Sequence, residues 1–287
     1  MSQPVYFYKF VSFDRKDILE DGLIRFAPIG SFNDPFELEP TITPYSTPFL
    51  EYTDTLSDVE FANLSYSDDD YKYARERVGK IELYKNIYRE KIGRYGVLSL
   101  SSNREINHLL TVSMPEKKDP RTNILMWSHY ADSHRGFVIE FRPNFIDGIN
   151  LKKVEYCDKR DFLTFEDIDE NRFENIFFKK SPEWWYEQEY RAILPLDNAS
   201  TIHDEKFHLY KINKASINSI TFGCAMSDEN KKIIMDLTKN DPELQRIVLN
   251  HVCLKDEGYF LDFYYDDGRF TNKPLLGAMR IPNQKRL

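Results

Sequence analysis

Two glutamates and an arginine alternate at the start of an apolar run late in the chain. They belong to the stretch 184–191, WWYEQEYR, which continues into Ala192-Ile193-Leu194. Side chains in a β-strand alternate with a period of two, so Glu187, Glu189 and Arg191 are predicted to share one face. Two interpretations stay open. The segment is either an exposed, salt-paired edge strand or a carboxylate fixed at the mouth of a cleft, where it can stabilise a developing positive charge.

Glu189 is the better candidate for that carboxylate. It lies nearer to the apolar run than Glu187, so we expect it to be more firmly held and partly desolvated. Arg191 on the same face is expected either to keep the carboxylate ionised or to bind a phosphate.

Polar groups lie among aromatic residues at two further places. One is the segment 31–37, SFNDPFE, in which the Asp-Pro step keeps Asp34 extended and predicts a turn that also presents Asn33. The other is the segment 123–131, where Met126, Trp127 and Tyr130 recur at helical spacing. Each has an ordinary structural interpretation, as a turn and as a core stripe.

Several familiar chemistries are excluded by their missing motifs. The chain has no phosphate-binding loop, dinucleotide fingerprint, His-Glu-x-x-His zinc motif or Gly-x-Ser-x-Gly nucleophile elbow. No metal site is predicted, because Asp68, Asp69 and Asp70 are consecutive on a helix start, and His129 and His134 would lie on different sides of a helix.

Composition bounds the class of protein. The net charge of -8 argues against electrostatic wrapping of nucleic acid, and the Lys152-Lys153, Lys179-Lys180 and Lys231-Lys232 pairs are interpreted as solvated faces. The 3 cysteines are scattered, so neither a disulfide framework nor a structural zinc is indicated and a cytoplasmic location is expected. No leader or membrane-spanning segment is predicted, so no membrane partner is expected.

The predicted elements give an α+β chain forming a single domain over residues 1–287, with a mixed, largely antiparallel sheet split by helices. Strands are predicted at Tyr6–Val11, Tyr95–Ser101 and from Glu187 onward, and a helix at Tyr71–Ile92. A variable helical insertion is predicted at residues 44–92, beginning with an acidic, Ser/Thr-rich stretch to residue 70.

Three motifs together resemble a bacterial domain-of-unknown-function family, numbered twenty-nine seventy-one. They are Phe-Asn-Asp-Pro-Phe at 32–36, Met-Trp-Ser-His-Tyr-Ala at 126–131 and Tyr-Glu-Gln-Glu-Tyr-Arg at 186–191, with a Tyr-Lys-Phe start near residue 8. The resemblance covers about residues 6–223. It implies no activity, since the family itself has none assigned.

A looser resemblance is to ADP-ribosyltransferases of the DNA-modifying toxin type. It implies an ADP-ribosyltransferase-like fold, NAD as a substrate, and Glu189 as the catalytic carboxylate. Lys9 stands where those enzymes usually carry arginine or histidine. The resemblance implies Tyr8 or Lys9 on the first strand, Ser101 on a serine-bearing strand, and Trp127 or Tyr130 as the ring that stacks on the ligand. The expected cofactor contacts are Tyr8, Lys9, Asn33, Asp34, Ser101, Trp127, His129, Tyr130 and Arg191.

Three functional hypotheses remain open from the sequence. The first is an NAD-using enzyme that modifies a macromolecular acceptor, a nucleic acid or a protein, as a toxin or phage-defence effector. The second is a non-catalytic module of a bacterial defence system that senses a nucleotide ligand or binds a partner protein. The third is a hydrolase or nuclease that uses His129 with Glu189.

Overall fold

A computed structural model of the chain describes residues 5–45, 55–57, 59–60, 68–102, 119–204, 206–256 and 258–265. Most of the acidic stretch at residues 44–70, which begins the insertion predicted at 44–92, lies outside these residues. Among the described helices, none is long and apolar enough to cross a membrane.

The strands, in chain order, are β1 (Phe7–Val11), β2 (Leu23–Pro28), β3 (Thr41–Ile42), β4 (Tyr95–Ser102), β5 (Phe137–Phe141), β6 (Lys152–Lys153), β7 (Glu155–Tyr156), β8 (Phe162–Leu163), β9 (Lys179–Lys180), β10 (Glu189–Pro195), β11 (Thr201–His203), β12 (Phe207–Lys211), β13 (Ile217–Phe222), β14 (Val248–Leu254) and β15 (Leu261–Tyr265). The α-helices are α1 (Asp17–Asp21), α2 (Asp68–Val78), α3 (Ile81–Ile92), α4 (Ile124–Tyr130), α5 (Phe165–Asp169) and α6 (Asp228–Asn240). Short 3-10 helices cover Phe13–Lys16, Pro120–Thr122, Glu174–Phe178, Pro182–Glu187, Leu196–Asn198 and Lys214–Ser216.

The architecture is α+β, with a mixed, mostly antiparallel open sheet, which confirms the predicted class. The main sheet of the described chain has the order β11-β12-β2-β4-β1-β5-β13-β14-β15; β10 joins it by pairing with β4, and β6 pairs with β10. Its neighbours pair antiparallel except β13 and β14, which are parallel and are connected through α6. Two small parallel pairings, β3 with β8 and β7 with β9, lie beside it.

Strand β4 is the junction that creates the candidate site. One edge pairs with β10 along Tyr95–Ser101. The other edge is divided, because β2 pairs at Gly96 and Val97 whereas β1 pairs at Ser101 and Ser102. An opening therefore lies between β1 and β2, beside residues 98–100 of β4. The ammonium of Lys9 reaches across and donates to the carbonyl oxygen of Ser99 at 2.8 Å.

Local signals fix the elements that border this opening. Helix α1 ends at Gly22, which adopts the left-handed conformation (φ 67°) that glycine accepts without strain and so turns the chain into β2. Helix α4 begins after Asn123, whose side chain accepts from the backbone N–H groups of Leu125 and Met126. The Asn123 amide also donates to the carbonyl of Tyr186 at 3.1 Å, which ties α4 to the segment before β10.

Two predicted elements differ from the structure. The helix predicted over 71–92 is two helices, interrupted at Gly79 and Lys80. The strand predicted from Glu187 starts instead at Glu189, because Glu187 ends a 3-10 helix and Gln188 is left-handed (φ 48°).

Candidate functional site

A cavity of about 350 Å³ lies at the opening between β1 and β2. Residues from β1, β2, the turn after β2, β4, α4 and the segment before β10 line it. Most of the predicted site residues are among them: Tyr8, Lys9, Asn33, Asp34, Ser101, Tyr130 and Glu189. Side chains far apart in the sequence therefore meet at one cavity.

Glu189 is buried at the start of β10, with 3% of its surface exposed. Arg191 donates to its two carboxylate oxygens at 2.8 and 3.0 Å, and the ammonium of Lys180 lies 3.4 Å away. Burial alone would raise the pKa of this carboxyl, but the charges of Arg191 and Lys180 and a hydrogen bond from Ser99 outweigh burial and lower the pKa to about 2. The carboxylate is therefore ionised at neutral pH.

Arg191 is completely buried and does not line the cavity. Besides Glu189, its guanidinium contacts Glu37 and donates to the carbonyl oxygen of Phe177 at 2.8 Å. This geometry agrees with a role in holding the carboxylate ionised, and it corrects the expectation that Arg191 binds a phosphate. The interpretation as an exposed edge strand is wrong, because Glu189 and Arg191 are buried against β4.

Glu187 is the second carboxylate at the cavity and is also buried. The hydroxyl of Tyr130 donates to one of its oxygens at 2.5 Å, and the ammonium of Lys180 donates to the other at 2.7 Å. Burial nevertheless raises the pKa of Glu187, helped by the neighbouring negative charge of Glu189. Two carboxyl groups two residues apart thus have pKa values shifted in opposite directions.

Glu37 completes a buried group of charges that we call the carboxylate cluster: Glu37, Glu187 and Glu189 with Lys180 and Arg191. The ammonium of Lys180 lies 3.6 Å from Glu37. Burial raises the pKa of Glu37 against the opposing charges of Arg191 and Lys180. With two cations for three carboxyl groups, the cluster gives part of the cavity an acidic character.

The predicted turn at Asn33 and Asp34 positions Glu37 at the cavity. The carboxylate of Asp34 accepts from the backbone N–H of Phe36 at 2.9 Å, and its carbonyl accepts from the N–H of Glu37 at 3.2 Å. Asp34 is buried at the cavity, whereas Asn33 is exposed at its edge. Asp34 thereby has a structural task besides the predicted contact with a ligand.

Another part of the cavity carries cations, which we call the basic wall: Lys9 on β1, Arg15 before α1 and Arg25 on β2. Burial lowers the pKa of Lys9 to about 8; Glu189 opposes this effect, while Arg15 and Arg25 add to it. Burial and the charge of Arg15 likewise lower the pKa of Arg25. The cavity thus has both an acidic and a basic part.

Besides Arg191, two predicted contacts do not line the cavity. Trp127 has no exposed surface; its ring packs edge-on against Phe10 at 5.3 Å, and its N–H donates to the carbonyl of Arg121 at 2.7 Å. This corrects its expected stacking role, since it belongs to the core. His129 is exposed on α4 beside Trp184, at 6.3 Å between ring centroids. Of the aromatic side chains on this helix, Tyr130 is the one that reaches the cavity.

Sequence reasoning missed four charged residues of the cavity: Arg15, Arg25, Glu37 and Lys180. Lys180 was interpreted as part of a solvated pair, yet it is buried among carboxylates. Glu37 had a signal, because it follows the Asp-Pro turn directly in a segment rich in aromatics. No sequence signal marks Arg15 or Arg25 as cavity residues, because their convergence depends on the path that β2 takes away from β4.

One comparison with known proteins gives a match. The model of a family described as "Protein of unknown function (DUF2971)" matches residues 126–192, from α4 into β10. Neither the curated proteins nor the solved structures contain a match to the chain. The match supports the resemblance to that family over these residues, which include Tyr130, Lys180, Glu187 and Glu189.

Proposed function

We propose that the protein is an ADP-ribosyltransferase-like enzyme that uses NAD to modify a macromolecule, as a toxin or phage-defence effector. One observation carries the proposal: the ionised, buried carboxylate of Glu189 lines the same cavity as the cations of the basic wall. NAD combines a diphosphate, which cations attract, with a glycosidic bond whose cleavage develops positive charge on the ribose. A cavity with these two kinds of charge suits both parts of the molecule.

The reaction transfers ADP-ribose from nicotinamide to an acceptor. The bond from the ribose anomeric carbon to the nicotinamide nitrogen breaks, and its electron pair leaves with nicotinamide. A nucleophilic atom of the acceptor then forms a bond to that carbon and loses its proton. Glu189 stabilises the cation that develops between these events, which is worth a few kcal/mol, about the contribution of one preorganised charged group.

The geometry supports a role for Glu189 that does not require proton transfer. A carboxyl group with a pKa of about 2 is a poor general base near neutral pH, but it keeps a full negative charge throughout the reaction. Arg191 and Lys180 hold it in place through hydrogen bonds, so it need not reorganise as charge develops. The rings of Tyr8, Tyr130 and Trp184 line the same cavity and offer apolar surface to a planar base.

Nicotinamide release and label transfer test the proposal. The purified protein is incubated with NAD labelled in the adenylate part, together with nucleic acids or cell proteins as acceptors. We expect nicotinamide release and transfer of the label, and a loss of about 100-fold or more for Glu189→Gln. Glu90→Gln is the matched control, because Glu90 is exposed on α3 and should behave like the unaltered protein. Circular dichroism verifies that each variant is folded.

Absence of nicotinamide release with all acceptors, or equal activity of Glu189→Gln, would refute the enzymatic proposal. A second candidate, a non-catalytic nucleotide-sensing or protein-interaction module, has one observation in its favour. Both oxygens of Glu189 are already engaged by Arg191 and Lys180, as in a carboxylate that shapes a binding site. Calorimetry that detects binding of NAD without nicotinamide release would support this candidate.

A further inference from the structure

Arg25, one of the cations of the basic wall, has a buried nitrogen atom that no described acceptor satisfies. Within the part of the chain that the structure describes, this buried atom, Nε, has no hydrogen-bond partner. Among the described residues, no carboxylate lies within ion-pair distance of Arg25 or of Lys9. Buried polar groups are normally satisfied, and an exception calls for an explanation such as a ligand.

Packing, rather than an ion pair, holds Arg25 in position. Its guanidinium lies over the ring of Phe207, 4.7 Å from the centroid, on the neighbouring strand β12. Arg15 is fixed differently, because its guanidinium binds the carboxylate of Asp17 at 3.0 and 3.4 Å. The cations therefore come from separate elements and are anchored independently at the same cavity.

Burial lowers the pKa values of Lys9 and Arg25, and repulsion among the three cations of the basic wall lowers them further. Arg15 and Arg25 each disfavour the charged form of Lys9, and Arg15 disfavours that of Arg25. The carboxylate of Asp17, which lies beside the wall, is already paired with Arg15. An anion bound among the three cations would relieve their repulsion and give the Nε of Arg25 an acceptor.

We propose that Lys9, Arg15 and Arg25 form an anion subsite for the diphosphate of a nucleotide ligand, with Arg25 as its principal donor. The inference deepens the proposed function, on which it rests for the identification of the ligand as NAD. It adds a substrate class: the ligand must carry a diphosphate, so ADP-ribose should bind and adenosine should not. It also orients the ligand, with its phosphates at β1 and β2 and its glycosidic bond towards Glu189.

Binding of inorganic pyrophosphate to the full chain tests the subsite apart from catalysis. Calorimetry at low salt compares the unaltered protein with Arg25→Gln, Arg25→Lys and Arg135→Gln. Arg135 is the matched control, an exposed arginine outside the cavity. We expect binding to weaken tenfold or more in Arg25→Gln, to recover partly in Arg25→Lys, and to stay unchanged in Arg135→Gln. Arg15→Gln, with an expected weakening of severalfold, serves as a second variant if Arg25→Gln fails to fold.

The outcomes separate the subsite from the proposed enzyme. Pyrophosphate binding that depends on Arg25, without nicotinamide release from NAD, would keep the subsite and remove the proposed function. Turnover of NAD that depends on Glu189, with no pyrophosphate binding or with equal binding to Arg25→Gln, would overturn the subsite alone. Equal binding of adenosine and ADP-ribose would also overturn it, because the cations would then not select a phosphate.

Discussion

Replacing Arg191 by methionine removes the guanidinium that compensates two buried carboxylates, Glu189 and Glu37. Methionine has a comparable length and leaves no charge, so the change isolates the loss of the ion pairs. Breaking a buried pair by removing one partner costs about 3–5 kcal/mol, because the other charge stays buried. The fall of the Glu189 pKa from 4.5 to about 2 gives a similar magnitude, about 3 kcal/mol at neutral pH. We therefore expect Arg191→Met to lower the free energy of unfolding by about 3 kcal/mol.

Urea unfolding at neutral pH, followed by tryptophan fluorescence, measures this loss. The matched control is Arg172→Met, because Arg172 binds Asp167 at the surface with 49% of its side chain exposed. An exposed pair of this kind contributes less than about 1 kcal/mol, so the control should unfold close to the unaltered protein. The double variant Arg191→Met with Glu189→Gln should be more stable than the sum of the single changes predicts, with a coupling of about 2 kcal/mol.

Two results would refute this account of the carboxylate cluster. The first is an Arg191→Met variant whose free energy of unfolding lies within about 1 kcal/mol of that of the unaltered protein, because loss of the central cation of a buried charged cluster should destabilise the protein by more. The second is strict additivity in the double variant, which would mean that Arg191 and Glu189 do not depend on each other.

Further changes test other parts of the site. Tyr130→Phe should destabilise the protein by about 2 kcal/mol, because Glu187 loses a charge-assisted hydrogen bond, and its thermal unfolding should show this; an unchanged midpoint would contradict the contact. Gly22→Ala should cost about 1 kcal/mol in urea unfolding because of the left-handed φ, whereas Gly79→Ala, in open space with no such φ, should cost nothing measurable. The contribution of Glu189 to stability should be fully present above pH 4.5 and lost as the pH falls from 4.5 towards 2, because its pKa is lower in the folded state. Unfolding measured over that range should therefore show a difference in stability between the unaltered protein and Glu189→Gln that becomes smaller as the pH falls.

Local patterns predicted much of the scaffold. Strand periodicity placed Glu189 and Arg191 on one face of β10, and Ser99 and Ser101 stand opposite them on β4. Helical spacing predicted α4 within residues 123–131, and the Asp-Pro step predicted the turn at Asp34. These features depend on neighbours within a few residues, so the sequence contains the information that specifies them.

The remaining features depend on contacts between distant segments. Whether Glu189 is exposed or buried depends on β4 and on Glu37, which lies more than a hundred residues earlier. Trp127 and Tyr130 have the same helical pattern, and their different burial follows from which side of α4 meets β1. The helix predicted at 71–92 breaks at Gly79, where propensity alone gives a small penalty. The local sequence pattern is compatible with either alternative in each case. The choice between them depends on contacts with residues elsewhere in the chain.

The divided edge of β4 has a mechanical consequence. Because β1 and β2 pair with opposite ends of β4, a ligand bound between them would contact both strands and stabilise their positions together. Amide hydrogen exchange should then slow in β1 and β2 together when a ligand occupies the opening, although the strands are distinct stretches of chain. Affinity for the ligand and rigidity of the sheet would thus rise and fall together at this seam.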